Sequence, residues 1–379
     1  MSFALLALVV LVGLLGPLVA ARVSWRIPVV IGELVGGLLI GTSGLHLVDS
    51  TDVSFQLLAT IGFGLTMLVV GSRIPVRDPA VRAAFARGLA GAALVGIVAA
   101  VLGVAIATAL GTGHAALYAV LMASSSAALV LPMLQSVGLR GASVAQLVAE
   151  IAIADVICIV ALPLVVAPER AATAAVVALV IAAMAVVLSI VLSRLGHLRR
   201  RFHQYSERRR SALELRFSLL VLFAFAAIAQ LAHVSIMLAG FALGLVLSAA
   251  GEPRRLARQL FGITEGFFGP LFFVWLGASL DVRAFAQNPT TIALGVVLGL
   301  GAVVAHLAAR GVRLPWLQAV ASSGQLGVPV AAVTLGIQSG TLTSGEQAGI
   351  ILGALITIAI SAVATGATAR RAHTVAEGQ

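Results

Sequence analysis

The 379-residue sequence has no lysine, one cysteine, two tyrosines and three tryptophans, and only 10% of its residues are charged. A soluble domain carries roughly 25% charged residues. Twenty-four basic and fourteen acidic residues cannot cover a water-soluble globule of this length, which excludes a soluble enzyme, a disordered chain and a nucleic-acid binder. Cys158 cannot form an intrachain disulfide and lies in an apolar run, where it reads as a free core thiol. No nucleophile with a base, metal-ligand cluster or glycine-rich phosphate loop is recognisable, so the sequence does not read as an enzyme and implies no cofactor.

Apolar residues make up 60% of the chain, and they fall in runs long enough to cross a hydrocarbon core of roughly 30 Å. Thirteen such spans are predicted, at about 3–21, 27–45, 54–72, 88–110, 114–137, 142–167, 171–194, 212–232, 234–250, 262–281, 290–310, 315–338 and 345–369. The N-terminus lacks the basic region of a cleavable signal, so the first run reads as a membrane helix. All 24 basic residues are arginine, giving a net charge of +10. With connections placed on alternate sides, 22 arginines fall on one side and only Arg170 and Arg283 on the other. The positive-inside rule then puts the N-terminus outside and the C-terminus in the cytoplasm. The dense stretch from Arg199 to Arg210 reads as a topogenic loop, with binding of anionic lipid headgroups as the alternative.

Three matches recur in order along the chain. Gly32-Glu33-Leu34-Val35-Gly36 pairs with Gly240-Phe241-Ala242-Leu243-Gly244, offset by 208 residues. The segment from Gly71 to Arg77 pairs with that from Gly277 to Arg283, offset by 206, and Ser125-Ser126 with Pro132 pairs with Ser322-Ser323 and Pro329, offset by 197. Equivalent spans lie seven apart, and an odd separation inverts the second unit. The fold expected is an all-α polytopic membrane protein of two inverted six-helix repeats, residues 1–167 and 212–369. A linking helix and basic loop occupy 168–211, and a short cytoplasmic tail occupies 370–379. Spans 5 and 12, each interrupted by a serine pair and a proline, are expected to be broken helices; non-helical backbone at that depth must line protein or a watery cavity.

Most acids sit at span ends, but Asp155 lies near the centre of its span, where a carboxylate costs roughly 2.5–3.5 kcal/mol even on lenient insertion scales. Ile151, Ala152, Cys158, Ile159 and Leu162 share its helical face and cannot neutralise it. Burial disfavours its charged form and a nearby cation favours it, so one such group can hold either a proton or a small cation. Exposed alternately to the two sides, it would exchange one for the other. Glu33 reads as a structural or interfacial acid, with a cation-path role as the alternative. Glu150, five residues before Asp155, reads as either a funnel acid or an interfacial acid. Glu265 and Asp281 at the ends of span 10 read as solvated or structural, and His306 as interfacial, with proton relay as the alternative.

The run from Ile31 to Leu45, the Ser124-Ser125-Ser126 run, Ile153-Ala154-Asp155 with the apolar run that follows, and Phe267 to Gly277 together resemble the second cation/proton antiporter family, which includes bacterial sodium/proton and potassium/proton exchangers. The resemblance implies thirteen helices, a dimerisation domain and a core domain with two crossing broken helices, and a homodimer. It assigns Asp155 the ion-binding role and gives Ser124, Ser125 and Ser126 hydroxyl and carbonyl ligands near the ion. Where electrogenic relatives carry a second acid this chain has Ala154; the position matching the family's neutralising Lys or Arg is His306. The second broken helix, Ser322-Ser323-Gly324-Gln325, lacks the charged residues many members carry there. These departures imply one-for-one, electroneutral exchange at a single carboxylate, with Glu33, Glu150, Gln325 and His306 as auxiliary residues. The tail after Ala369 is too short for the nucleotide-binding domain some members carry. The expected activity is exchange of a monovalent cation, sodium ahead of potassium, for protons. The alternatives are an ion-coupled symporter of an organic anion on a related fold and a non-transporting membrane sensor.

Overall fold

A computed structural model describes residues 1–20, 29–74, 77–136, 139, 141–166, 168–194, 212–231, 236–251, 254–280, 283 and 289–377. The basic loop from Arg199 to Arg210, Arg22, Arg26, Arg140 and Asp281 lie outside the described residues. Among the described residues the structure is helical throughout, with no strand.

In chain order the helices are α1 (Phe3–Gly13), α2 (Leu15–Ala20), α3 (Val29–Ile40), α4 (Val53–Ser72), α5 (Pro79–Leu110), α6 (Ala115–Ala123), α7 (Ala127–Ser136), α8 (Ala142–Val166), α9 (Ala171–Arg194), α10 (Leu213–Leu231), α11 (Ile236–Ala250) and α12 (Arg254–Ile263). They continue as α13 (Gly269–Ser279), α14 (Pro289–Leu307), α15 (Trp316–Ala321), α16 (Gly327–Ser339) and α17 (Ser344–Glu377). Nine stretches among the described residues are long and apolar enough to cross a membrane, and Val29–Ile40, Ile236–Ala250 and Gly327–Ser339 are shorter apolar helices.

Two elements depart from their hydropathy bounds. α5 begins nine residues before the predicted span, because Asp78 accepts a hydrogen bond from the Ala80 N–H at 2.8 Å and Pro79 occupies the first helical position. It stops where Gly111 turns to φ +66°. Hydropathy marks the apolar part of a helix, whereas capping chemistry sets its end. The tenth span likewise starts early, at Arg254, and contains a π-helical turn, Thr264–Phe268, between α12 and α13.

The chain divides into two compact units, each drawing on both halves of the sequence. The first takes Met1–Ala20 and the described residues of Val29–Arg77 and Glu169–Ser279. There α3 packs on α13 and α11 on α4 at backbone contact: a Cβ on Gly277 would overlap the Leu34 carbonyl, and one on Gly240 the Gly64 carbonyl. Phe63 stacks on Phe272 with ring centroids 4.7 Å apart. At one end, Asp52 caps α4 through the Phe55 N–H (3.0 Å) and meets the Met1 ammonium at 2.8 Å. The ammonium and the Phe55 N–H hold its carboxyl below the usual carboxylate range. The second unit takes the described residues of Asp78–Pro168 and from Leu280 onward, with α5 packed on α6 and α8 and α14 on α17.

Candidate functional site

Both predicted interruptions are present, and both lie in the second unit. The first separates α6 from α7 at Ser124–Ser126, and the second separates α15 from α16 at Ser322–Leu326. The two breaks are tied directly together: the Ser126 N–H donates to the Gly324 carbonyl at 2.9 Å, and the Ser125 hydroxyl donates to the Ser322 carbonyl at 2.6 Å. Each break therefore supplies partners for backbone groups that a continuous helix would have satisfied internally. α17 holds the second break from behind. Thr357 accepts from the Gln325 N–H at 3.3 Å, and Ser361 donates to the Ala321 carbonyl at 2.6 Å.

Asp155, on α8, is buried. Its Oδ2 accepts from the N–H of Ala127, the first residue of α7, at 3.3 Å. The carboxylate thus sits at a helix N-terminus, where unpaired N–H groups and the helix dipole favour negative charge. Among the described residues no arginine, histidine or terminal ammonium forms an ion pair with it. Its neighbour Cys158 is a buried free thiol.

The three serines of the first break take different partners. Ser124 donates to Leu121 O at 2.7 Å, and its carbonyl accepts from His306 Nε2 at 3.1 Å. Ser125 reaches the second break, and Ser126 leads through its backbone into Ala127. Their hydroxyl protons go to carbonyls where a bond is recorded, which leaves hydroxyl and carbonyl oxygens as the lone-pair donors of this region.

The residues expected to be auxiliary separate into two groups. His306 is fully buried, and its ring bridges the two breaks between Ser124 O and Ser322 Oγ, the latter 3.0 Å from Nδ1. Glu150 is 1% exposed. Gly91 of α5 makes room for it, since a Cβ there would overlap Oε2. The Gln325 side chain is buried and its Nε2 has no hydrogen-bond partner among the described residues. Glu33 belongs to the first unit, buried on α3 against Gly16 of α2. Glu265, in the π-helical turn of the same unit, lies 3.9 Å from Arg73, with both side chains partly exposed.

Several polar partners are not singled out by the sequence reading. Thr357 and Ser361 stand one turn apart on an apolar helix, a pattern that does mark them in retrospect. At another end of the unit, Glu346 takes His114 Nδ1 at 2.6 Å, the Tyr118 hydroxyl at 3.3 Å and the Thr343 N–H at 3.0 Å. No group of three or more His, Cys, Asp or Glu side chains placed to hold a metal occurs among the described residues.

The fold has a solved counterpart. The sodium proton antiporter MjNhaP1 from Methanocaldococcus jannaschii, solved at pH 8, superposes with a TM-score of 0.66 at 17% identity, covering 95% of this chain and 94% of that one. Among curated proteins, "Putative Na(+)/H(+) antiporter YjbQ" of Bacillus subtilis (strain 168) is 25% identical over 384 residues. That alignment takes in 94% of this chain but 61% of the relative, so the chain spans about three fifths of the relative's length. The family model for the sodium/hydrogen exchanger, transmembrane, matches residues 6–370. The chain is therefore a polytopic membrane protein that belongs to the transmembrane sodium/hydrogen exchanger family, a family of transporters rather than enzymes.

Proposed function

We propose that the chain exchanges a monovalent cation, sodium ahead of potassium, for protons, one for one, at Asp155. The observation that carries this reading is a buried carboxylate at the mouth of a broken helix, held by one backbone N–H and by no cationic side chain among the described residues. A proton or a small cation can neutralise such a group, and the two compete for the same oxygens. Main-chain carbonyls and serine oxygens of the first break are the hard ligands an alkali cation requires. With Ala154 beside it instead of a second acid, each cycle moves one positive charge in each direction.

Within the family we assign the chain to the second cation/proton antiporter group, on the runs Ile31 to Leu45, Ser124 to Ser126, Ile153 to Asp155 and Phe267 to Gly277. Counting each interrupted pair as one crossing, Val29–Ile40 and Ile236–Ala250 as one each, and the nine long stretches gives thirteen. The repeat matches support two inverted halves: the first pair lies on α3 and α11, the second begins at the C-terminal ends of α4 and α13, and α3 packs on α13 as α11 does on α4. We further place the protein in a bacterial inner membrane as a homodimer, needing no cofactor beyond the transported ions.

The test is dequenching of a pH-sensitive dye in proteoliposomes on addition of sodium or potassium. Wild type responds and Asp155→Asn loses at least about 100-fold of the rate, as expected for removal of the charged ligand itself. An imposed membrane potential leaves the rate unchanged. A wild type silent to both ions, or an equally active Asp155→Asn, defeats the reading; a response that needs an added organic anion favours symport.

A further inference from the structure

At the end of the first unit where α4 and α11 finish and α12 begins, arginines gather that the exchange chemistry does not use. Arg77 is built into a helix end there: its Nε donates to the Ala249 carbonyl, one of the last of α11, at 2.8 Å. Arg73, Arg255 and Arg258 are not employed in that way. Arg73 lies 3.9 Å from Glu265 with both side chains partly exposed, a setting in which an ion pair contributes little. Neither Arg255 nor Arg258 forms an ion pair among the described residues.

α12 fixes the direction of these side chains. Leu256 and Leu260, one turn apart, are 4% and 1% exposed and pack with Leu65 and Leu68 of α4, Leu222 of α10 and Leu243 of α11. At about 100° per residue, Arg258 falls opposite that buried pair, with Arg255 on one flank and Phe261 on the other. Phe261 is 48% exposed, and the Arg73 guanidinium lies over its ring, 5.3 Å from the centroid. An open aromatic ring and three guanidinium groups, two from α12 and one from α4, thus share the outer side of one helix. The positive-inside rule asks only that arginines lie on one side of the membrane. It does not ask for an exposed phenylalanine among them, or for a helix locked so that they point outward.

We infer that the outer face of α12, with Arg73, Arg255, Arg258 and Phe261, binds the headgroup of an anionic phospholipid. Each guanidinium offers donors in a fork that matches phosphate oxygens. Phe261 takes the first methylenes of the acyl chains, at the depth where aromatic rings sit in a bilayer. Charge beside open apolar surface fits a lipid better than free phosphate, which has no apolar part. Asp155 belongs to the other unit, and the stretch from Arg199 to Arg210 lies outside the described residues, so neither enters this site. The patch stands at the end that the arginine count assigns to the cytoplasm, where anionic lipids make the bilayer surface negative. Binding in detergent does not depend on orientation, so a failed topology and a failed lipid site are told apart.

Native mass spectrometry of the purified full chain in neutral detergent, titrated with phosphatidylglycerol or phosphatidylcholine, tests the site. Wild type binds phosphatidylglycerol more tightly than phosphatidylcholine. Arg255→Gln combined with Arg258→Gln weakens phosphatidylglycerol binding by about 25-fold, at about fivefold for each arginine, and leaves phosphatidylcholine binding unchanged. Phe261→Ala weakens binding of phosphatidylglycerol by about fourfold. Arg82→Gln combined with Arg87→Gln, an equal loss of charge at exposed positions of α5, changes neither lipid. Thermal unfolding without added lipid shows each variant folded, since the substituted side chains lie on the outer side of their helices. A double α12 variant that binds phosphatidylglycerol as wild type does, or an α5 control that weakens it equally, overturns the site. Displacement of the lipid by an equal concentration of inorganic phosphate, or of polyglutamate, also overturns it, in favour of a simple anion site or a surface for an acidic protein.

Discussion

One backbone hydrogen atom is the recorded contact between Asp155 and the first break. The Ala127 N–H reaches Oδ2 at 3.3 Å from the first residue of α7. Because Pro is well tolerated at a first helical position, Ala127→Pro deletes that donor while leaving the helix its preferred start. A hydrogen bond to a charged group contributes about 1.5 kcal/mol at the lower end of its range, so in the proposed exchange the KM for the cation should change by about tenfold with kcat little altered. Cation titration of the exchange rate checks this, and an unchanged KM would remove the N–H from the site. At the same scale, residue type alone singles out Asp155, since a carboxylate in mid-span is costly wherever it lies. It does not single out Ser322, a serine whose hydroxyl is as readily absorbed by its own helix, at Ala319 O, as shared with His306 and Glu150. Nor does it show that His306 is buried between the two breaks.

At the scale of elements, helices in lipid have no strong hydrophobic drive toward one another, and close backbone approach at small residues takes its place. The α11 to α4 and α3 to α13 contacts follow that rule. Gly240 and Gly277 are positions where a Cβ would enter the carbonyl of a neighbouring helix. Gly240→Leu and Gly277→Val should each lower stability by about 1–3 kcal/mol through overpacking. Gly96→Ala, which meets nothing within 4 Å, should be neutral or gain up to about 1 kcal/mol from helix propensity. Thermal unfolding in detergent separates the two classes, and a Gly96 variant as damaged as the others would refute the packing argument. The repeated Gly-x-x-x-Gly motifs are legible in the sequence, but which helix each one faces is not. The breaks too are legible, as serine pairs followed by proline. Their mutual hydrogen bonds, and the support of the second break by Thr357 and Ser361, depend on helices far apart in the chain.

For the whole molecule, the arginine distribution makes an orientation testable. In a Cys158→Ser background, Gly113→Cys should react with an impermeant thiol reagent added outside intact cells, and Ala80→Cys only after the membrane is opened; both positions are exposed. The reverse pattern would invert the assigned topology. The sequence by itself determined that the chain is helical and membrane-spanning, where most helices run, that two of them break, and that Asp155 is the costly charge. All of these are set by local composition: the free energy of placing a residue in hydrocarbon, or of interrupting a helix there, depends on few neighbours. Helix ends escaped hydropathy where a cap governs them, as at Asp78 and Pro79. Only the tertiary structure decided that each compact unit draws helices from both halves, that Glu33 belongs to one unit and Asp155 to the other, and that Glu150, Ser322, His306 and Ser124 form one chain of contacts. Those groups lie up to 198 residues apart in the sequence. Their meeting is fixed by helix packing and by the need of each buried polar group for a partner, which no local pattern encodes.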